Sequence, residues 1–489
     1  MNPITIKNLT FAYPGQATLF DHCQLNLDSS WKLGLLGRNG RGKTTLMNIL
    51  RGKLAYQGQI QTPLTFSYYP LTVADQTDLT WNNLAAAIPQ LAQWQVEREL
   101  NLMATDPALL WQPFNTLSGG EQTRVMLAAL FAQEGSFPLL DEPTNHLDQH
   151  GRQLIAYYLK TKKTGFIITS HDQAFLDQII DHTLVIEQHQ LILEQGNYHD
   201  YFVQKNIRDT QAISKNEHLQ KDIRHLKERQ QTKQQWAQKA EHEKANNSHA
   251  DKGFLGHKAA KMMKKATITK EQLGKTIQQR QGLLQEVEQI VPLTINPQPT
   301  HHQTLLTVEK LCLAYPGRQL FNNLSFKVGQ HDQVILCGDN GSGKSSLIHA
   351  ITSDFTGQQS GKITISNNIA ISLVRQQYST NRGTLAKFAK ANHINYDDLL
   401  NVLRKLGMAR TTFNTPIENM SMGQQKKVEL ARSLVQPANL YIWDEPLNYL
   451  DTYNQEQLIQ LIKEYQPPML IIEHDQHFID TIATKKIIL

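Results

Sequence analysis

Two stretches of the chain carry the pattern G-x-x-x-x-G-K-[ST]: Gly37-Arg38-Asn39-Gly40-Arg41-Gly42-Lys43-Thr44 and Gly338-Asp339-Asn340-Gly341-Ser342-Gly343-Lys344-Ser345. Glycines at those intervals let successive backbone N–H groups and a helix N-terminus surround a phosphate. The lysine then reaches β/γ oxygens and the following hydroxyl ligates Mg²⁺. Thr45 and Ser346 stand next in line for the same ligand. Each copy follows an apolar run (33–36, 334–336) and opens a helical one (46–50, 347–350), the context the motif needs. Asp141 and Asp444 close two further apolar runs, about 98 residues beyond the P-loop lysines. A carboxylate there can hold Mg²⁺ through water, and the adjoining Glu142 and Glu445 are placed to polarise an attacking water, with His171 and His474 following. Ser118-Gly119-Gly120 and Ser421-Met422-Gly423 each open a helical stretch. A serine with tight glycines at a helix start is a second anion site, usable once another phosphate is brought to it.

The residues come in pairs because the chain repeats itself. Phe11-Ala12-Tyr13-Pro14-Gly15 returns as Leu313-Ala314-Tyr315-Pro316-Gly317, and the P-loops, the Asp-Glu-Pro triplets and Ser170-His171-Asp172/Glu473-His474-Asp475 recur at offsets of 301–303 residues. Between the copies lies a different kind of sequence. No proline occurs from Thr144 to Val291 and no glycine from Asn197 to Lys252, so one long helix is expected over 205–245. Ala212, Leu219, Ile223 and Leu226 form a loose seam on it. Leu273, Ile277, Leu284 and Val287 continue the spacing after a glycine-containing break, which reads as an antiparallel α-hairpin ended by Pro292, Pro297 and Pro299. A helix of forty residues extends roughly 60 Å.

The 489 residues carry a formal charge of 49 − 44 = +5 and three cysteines, Cys23, Cys312 and Cys337. Without a C-x-x-C pair these argue against a disulfide scaffold, structural zinc or an iron–sulfur cluster, and fit a reducing cytoplasm. No apolar run approaches a membrane span. The charge is local: Lys205 to Val291 holds 18 Lys+Arg against 10 Asp+Glu, with Lys252, Lys258, Lys261, Lys264 and Lys265 uninterrupted by any acid. A one-signed cluster at the hairpin turn suits a polyanion. Phe254, Leu255, Met262 and Met263 add apolar groups able to stack or wedge.

The P-loops, strand-end carboxylates and serine-glycine helix starts together resemble the ATP-binding cassette superfamily over about 390 residues. The resemblance implies an α/β fold: two tandem ABC-type nucleotide-binding domains (1–203 and 304–489) joined by a long antiparallel α-helical hairpin (204–303, tip near 246–258). It implies ATP and Mg²⁺ as cofactors and head-to-tail pairing within a monomer, Lys43 facing Ser421 and Gly423, and Lys344 facing Ser118 and Gly120. Tyr13 and Tyr315 match the adenine-stacking aromatic, with a core tyrosine as the alternative. Gln376 matches a Mg²⁺-proximal glutamine. The first copy has Leu71 there, and Met422 replaces a signature glycine, so unequal sites are expected, the first being the weaker.

Cassette pairs also drive transporters and DNA machines, but a charged hairpin between contiguous cassettes without spans looks like the ABC-F translation factors. Trp31-Lys32-Leu33-Gly34 and the tip Asp251-Lys252-Gly253-Phe254-Leu255-Gly256-His257-Lys258 resemble the Lsa-type antibiotic-resistance members. This resemblance implies a bacterial ribosome partner, with 23S rRNA, the tRNA exit site and an initiator or peptidyl tRNA nearby, and neither membrane nor DNA. It implies ATP-driven displacement of lincosamide, pleuromutilin and streptogramin A drugs by a tip that includes Lys252, Phe254, Leu255, His257, Lys258 and Lys261. A factor relieving stalled ribosomes without a resistance role stays open, as does a transporter ATPase subunit.

Overall fold

The computed structural model describes residues 3–15, 17–145, 147–246, 264, 268, 271–284, 291–339 and 341–489. Asn340 and the six tip candidates Lys252, Phe254, Leu255, His257, Lys258 and Lys261 lie outside the described residues.

The first cassette begins with β1 (Pro3–Ala12) and β2 (Thr18–Asp28), antiparallel partners joined later by β4 (Gln57–Gln61) in the order β2-β1-β4. β3 (Lys32–Leu36) leads through the P-loop into α1 (Lys43–Leu50). It lies inside a second sheet, ordered β5-β6-β7-β3-β8-β9, of β5 (Thr65–Tyr69), β6 (Ser136–Asp141), β7 (Phe166–Thr169), β8 (His182–Glu187) and β9 (Gln190–Gln195). All of its pairs are parallel except β8–β9. Parallel strands are covered on both faces, so they read as unbroken apolar runs, Phe137 to Leu140 and Phe166 to Ile168 being fully buried or nearly so. Helices α2 (Thr80–Ala87), α3 (Gln93–Leu102) and α4 (Gly119–Ala132) form a lobe after β5, and α5 (Gln149–Thr161) and α6 (Gln173–Ile179) join the later strands.

The second cassette repeats this plan. β10 (Thr304–Tyr315), β11 (Arg318–Gly329) and β13 (Gln358–Ile365) make the antiparallel sheet. β14 (Ile371–Val374), β15 (Leu440–Asp444), β16 (Met469–Ile472), β12 (Gln333–Cys337) and β17 (Lys485–Ile488), in that order, make the parallel one. Its helices are α9 (Lys344–Ile351), α10 (Leu385–Ala391), α11 (Tyr396–Lys405), α12 (Met422–Val435), α13 (Thr452–Tyr465) and α14 (Gln476–Ile482). In both copies the P-loop helix is sandwiched between the two sheets, with Leu46, Met47 and Leu347 wholly buried.

Residues 200–289 form a separate unit. The long helix read over 205–245 is found as α7 (Tyr198–Asn246), whose 49 residues span about 70 Å. Residues 271–282 are helical (α8), and Arg280 pairs with Asp222, so the chain returns beside α7. Ala212, Ile223 and Ile277 are buried along the seam that the spacing indicated. No helix among the described residues is long and apolar enough to cross a membrane.

Each helical lobe is tied down by a buried carboxylate. Glu99 on α3 accepts from Tyr158 OH on α5 at 2.6 Å and pairs with Lys162 and Arg98. Glu429 on α12 pairs with Arg432 and Arg375 and accepts from Asn381. Burial alone would raise the Glu99 pKa, but the bonds from Lys162 and Tyr158 outweigh it and hold the carboxyl below its ordinary 4.5. The pairing therefore stabilises the fold fully above pH 4.5 and is lost as pH falls through the lower folded value. Lys162→Met leaves a buried charge short of its partner and should cost about 3 kcal/mol, read as a lower thermal midpoint at pH 7.

Candidate nucleotide-binding sites

The P-loops are built alike. Gly37, Gly40 and Gly42 have φ of 150°, 83° and 101°, and Gly338, Gly341 and Gly343 have 147°, 81° and 102°. At Gly42 the constraint is double: a Cβ would meet the buried Phe20 ring at 3.0 Å, on a left-handed backbone. Lys43 Nζ donates to Gly37 O at 2.6 Å and to Asn39 Oδ1 at 3.2 Å, and Lys344 Nζ to Gly338 O and Asp339 O at 2.8 and 2.7 Å. Burial lowers both lysine pKa values.

Asp141 lies at the mouth of the first loop, accepting from Thr44 Oγ1 at 2.9 Å. Glu142 and Glu445 hold φ of 53° and 47°, a left-handed conformation uncommon for glutamate and repeated in both copies. Glu142 Oε1 lies 3.3 Å from His171 Nε2, and Oε2 accepts from His171 N at 3.2 Å. Burial pushes the Glu142 carboxyl up to about 7, against the pull of Lys43. Burial and Lys43 push His171 down to about 3, so the ring is neutral at pH 7 and lies beside Glu142 Oε1, a buried oxygen without a hydrogen-bond partner among the described residues. Burial and Glu445 raise Asp444 to about 6, and burial and Lys344 lower His474 to about 4. Glu445 Oε2 accepts from Asn448 Nδ2 at 2.6 Å.

Parts of both cassettes meet at each site. Around Lys344 a cavity of about 700 Å³ is lined by Ser345, Ser346, Gln376, Glu445, His474 and Tyr315, and from the first cassette by Gly119, Asn145 and Arg152. At the other site Asn39 N donates to Asp451 Oδ2 at 2.8 Å, and the Arg38 guanidinium lies 3.9 Å from the Tyr453 ring centroid. Ser118 and Ser421 cap α4 and α12 through reciprocal bonds with Glu121 and Gln424, which leaves Gly120 and Gly423 in the first turns. Gly423 is confined: a Cβ would lie 3.1 Å from Tyr449 O. Met422, expected at the Lys43 site, is found lining the Lys344 cavity. Tyr315 is exposed there, whereas Tyr13 packs edge-on against Phe11 and shares a 3.1 Å hydrogen bond with Thr45 Oγ1.

The donor set fits a magnesium nucleotide. Asp444 Oδ1, Ser342 Oγ and His474 Nε2 are buried polar atoms without a hydrogen-bond partner among the described residues. Among those residues no cluster of three or more His, Cys, Asp or Glu is arranged to hold a metal. Mg²⁺ needs only one or two protein oxygens when phosphates complete its shell. Sequence reasoning missed Tyr68 and Thr169, whose hydroxyls reach Asp141, and Arg152, which pairs with Asp172 at 2.9 Å. The first two reach Asp141 because β5 and β7 flank the strand that ends there, a neighbourhood that the local sequence patterns do not announce.

Paired P-loop cassettes with strand-end carboxylates and helix starts brought to the opposite site define an ATP-hydrolysing enzyme of the two-cassette kind. The chain belongs to the ABC transporter family, whose profile matches residues 20–145 and 321–448. The ABC-F resemblance holds along its whole length. It is 27% identical over 504 residues to the ribosome protection protein VmlR of Bacillus subtilis (strain 168), covering 99% of this chain and 86% of that one. It is 24% identical to the ATP-binding protein Uup of Escherichia coli (strain K12), covering 96% and 77%. In fold it is similar to the archaeal ribosome recycling factor aABCE1, solved with the stalk protein aP1, at a TM-score of 0.62, 17% identity and 98% and 87% coverage.

A water-polarising base must be ionised, and Glu142 titrates at about 7. In Glu445→Gln protein, which leaves Glu142 as the remaining candidate base, kcat/KM for ATP should rise about tenfold between pH 6 and 8. A flat profile would remove Glu142 from that role.

Proposed function

We propose that this ATPase binds the bacterial ribosome at the tRNA exit site in its ATP-bound, closed form. Its basic hairpin tip then displaces drugs of the lincosamide, pleuromutilin and streptogramin A types from the peptidyl-transferase centre, and hydrolysis drives release. The observation that carries the reading is the match to a protein named for ribosome protection along 99% of this chain, a span that takes in the hairpin. The charge of the hairpin supports it: lysines without intervening acids suit rRNA phosphates. The reading assigns Lys43, Thr44, Thr45, Lys344, Ser345 and Ser346 to the phosphates, and Asp141, Asp444 and Gln376 to Mg²⁺. That ion, when bound, neutralises charge on the β- and γ-phosphates. Glu142 and Glu445 take the attacking water's proton, oriented by His171 and His474. It further assigns a cytoplasmic monomer, divided at 203/204 and 303/304.

In the test, the Glu142→Gln/Glu445→Gln protein should co-sediment with ribosomes in ATP and not in ADP. Wild-type protein should restore a lincomycin-inhibited translation extract. Deleting 250–258 should abolish that rescue while nucleotide affinity stays unchanged. Equal rescue by the deleted form contradicts the role of the tip, and co-sedimentation with duplex DNA or vesicles instead contradicts the partner.

A further inference from the structure

The two copies hold their strand-end aspartates differently. Asp141 Oδ2 accepts from Thr44 Oγ1 and from Tyr68 OH, each at 2.9 Å, and Oδ1 accepts from Thr169 Oγ1 at 2.7 Å. Strand register assigns the counterparts. Tyr69 pairs with Leu140 and Val374 with Trp443, one residue before each aspartate, so Tyr68 corresponds to Leu373. Asp141 itself pairs with Thr169, and Asp444 with Ile472. Both hydroxyls are thus replaced by alkyl groups in the second copy, where Asp444 Oδ1 is buried without a donor.

This difference runs opposite to another. The second copy keeps Gln376, which lines the Lys344 cavity. The first has Leu71, which lines a separate groove with Arg51, Ile88 and Leu130 and has no polar atom to offer. We propose that Tyr68, with Thr169, is a positioning residue of the Lys43 site: the two hydroxyls fix the Asp141 carboxylate in the orientation that receives a divalent cation, and so stand in for the missing glutamine. Tyr68 is suited to this. Its ring has two side-chain torsions and is clamped by the Arg51 guanidinium 3.9 Å from its centroid. Burial and the neighbouring Asp141 raise the pKa of its phenol, which remains a donor. With Thr44 and Tyr68 on Oδ2 and Thr169 on Oδ1, one lone pair of Oδ1 stays free for a metal-bound water.

The inference rests on nucleotide binding at Lys43 and not on a ribosome partner. The test uses the full chain with Lys344→Ala, which confines nucleotide to the Lys43 site. Affinity for a fluorescent ATP analogue is measured with Mg²⁺ and with EDTA, and Mn²⁺ occupancy by electron paramagnetic resonance. Tyr68→Phe should reduce the gain in affinity on adding metal about tenfold, as expected for a hydrogen bond to a charged group, with the EDTA value unchanged. Thr169→Val should act in the same direction. In an Asp141→Asn background Tyr68→Phe should add nothing, because it works through that carboxylate. An equal loss with and without metal, an undiminished loss in the Asp141→Asn background, or no loss overturns the proposal. A parent Lys344→Ala chain that fails to bind nucleotide even in EDTA would overturn the Lys43 site itself.

Discussion

A P-loop surrounds a triphosphate from one side only. The open side would leave several negative charges facing solvent, so the fold needs a second set of N–H donors that no single cassette possesses at that place. This shortage explains the repeat. It accounts for the serine-capped glycine starts of α4 and α12, and for Gly119 sharing a cavity with Lys344. The bond from Asn39 N to Asp451, residues separated by 412 positions, belongs to the same arrangement. The sheets, the capped helices and the buried carboxylates at Glu99 and Glu429 serve to hold those half-sites rigid enough to meet.

Duplication supplied two scaffolds, and the polar groups within them have since diverged. Around Asp141 the strands contribute Tyr68 and Thr169; around Asp444 the same positions are Leu373 and Ile472. Ser170 corresponds to Glu473, a buried carboxyl raised to about 7 by burial, with His474 N opposing. Arg152, beside Asp172, corresponds to Gln455. Loop geometry, set by glycine φ values, stayed the same to within a few degrees. The backbone of the two phosphate loops is held in common, while the side-chain donors around their aspartates differ.

The sequence made the backbone-determined part legible. Glycine spacing located both P-loops, apolar runs located the strands that end at Asp141 and Asp444, and the missing prolines and glycines located α7 to within one residue at its end and seven at its start. Side-chain networks built between strands distant in sequence were not legible. Tyr68 and Asp141 are 73 residues apart, and nothing in either local pattern announces their bond. Tyr13 and Tyr315 match one motif position, yet one is pinned by Thr45 and Phe11 while the other lies exposed in a cavity. Motif resemblance gives a residue its address, and packing decides its surroundings.

Photolabelling tests the sharing of sites across the two cassettes most directly. In the Glu142→Gln/Glu445→Gln protein, an azido-ATP analogue should label peptides from both cassettes. Ser421→Arg, an alteration in the second cassette, should abolish labelling of the first-cassette peptide that carries Tyr13. Ser118→Arg should do the reverse, removing label from the peptide that carries Tyr315. Loss of label within the same cassette as the altered serine, with the other cassette unaffected, would contradict the claim.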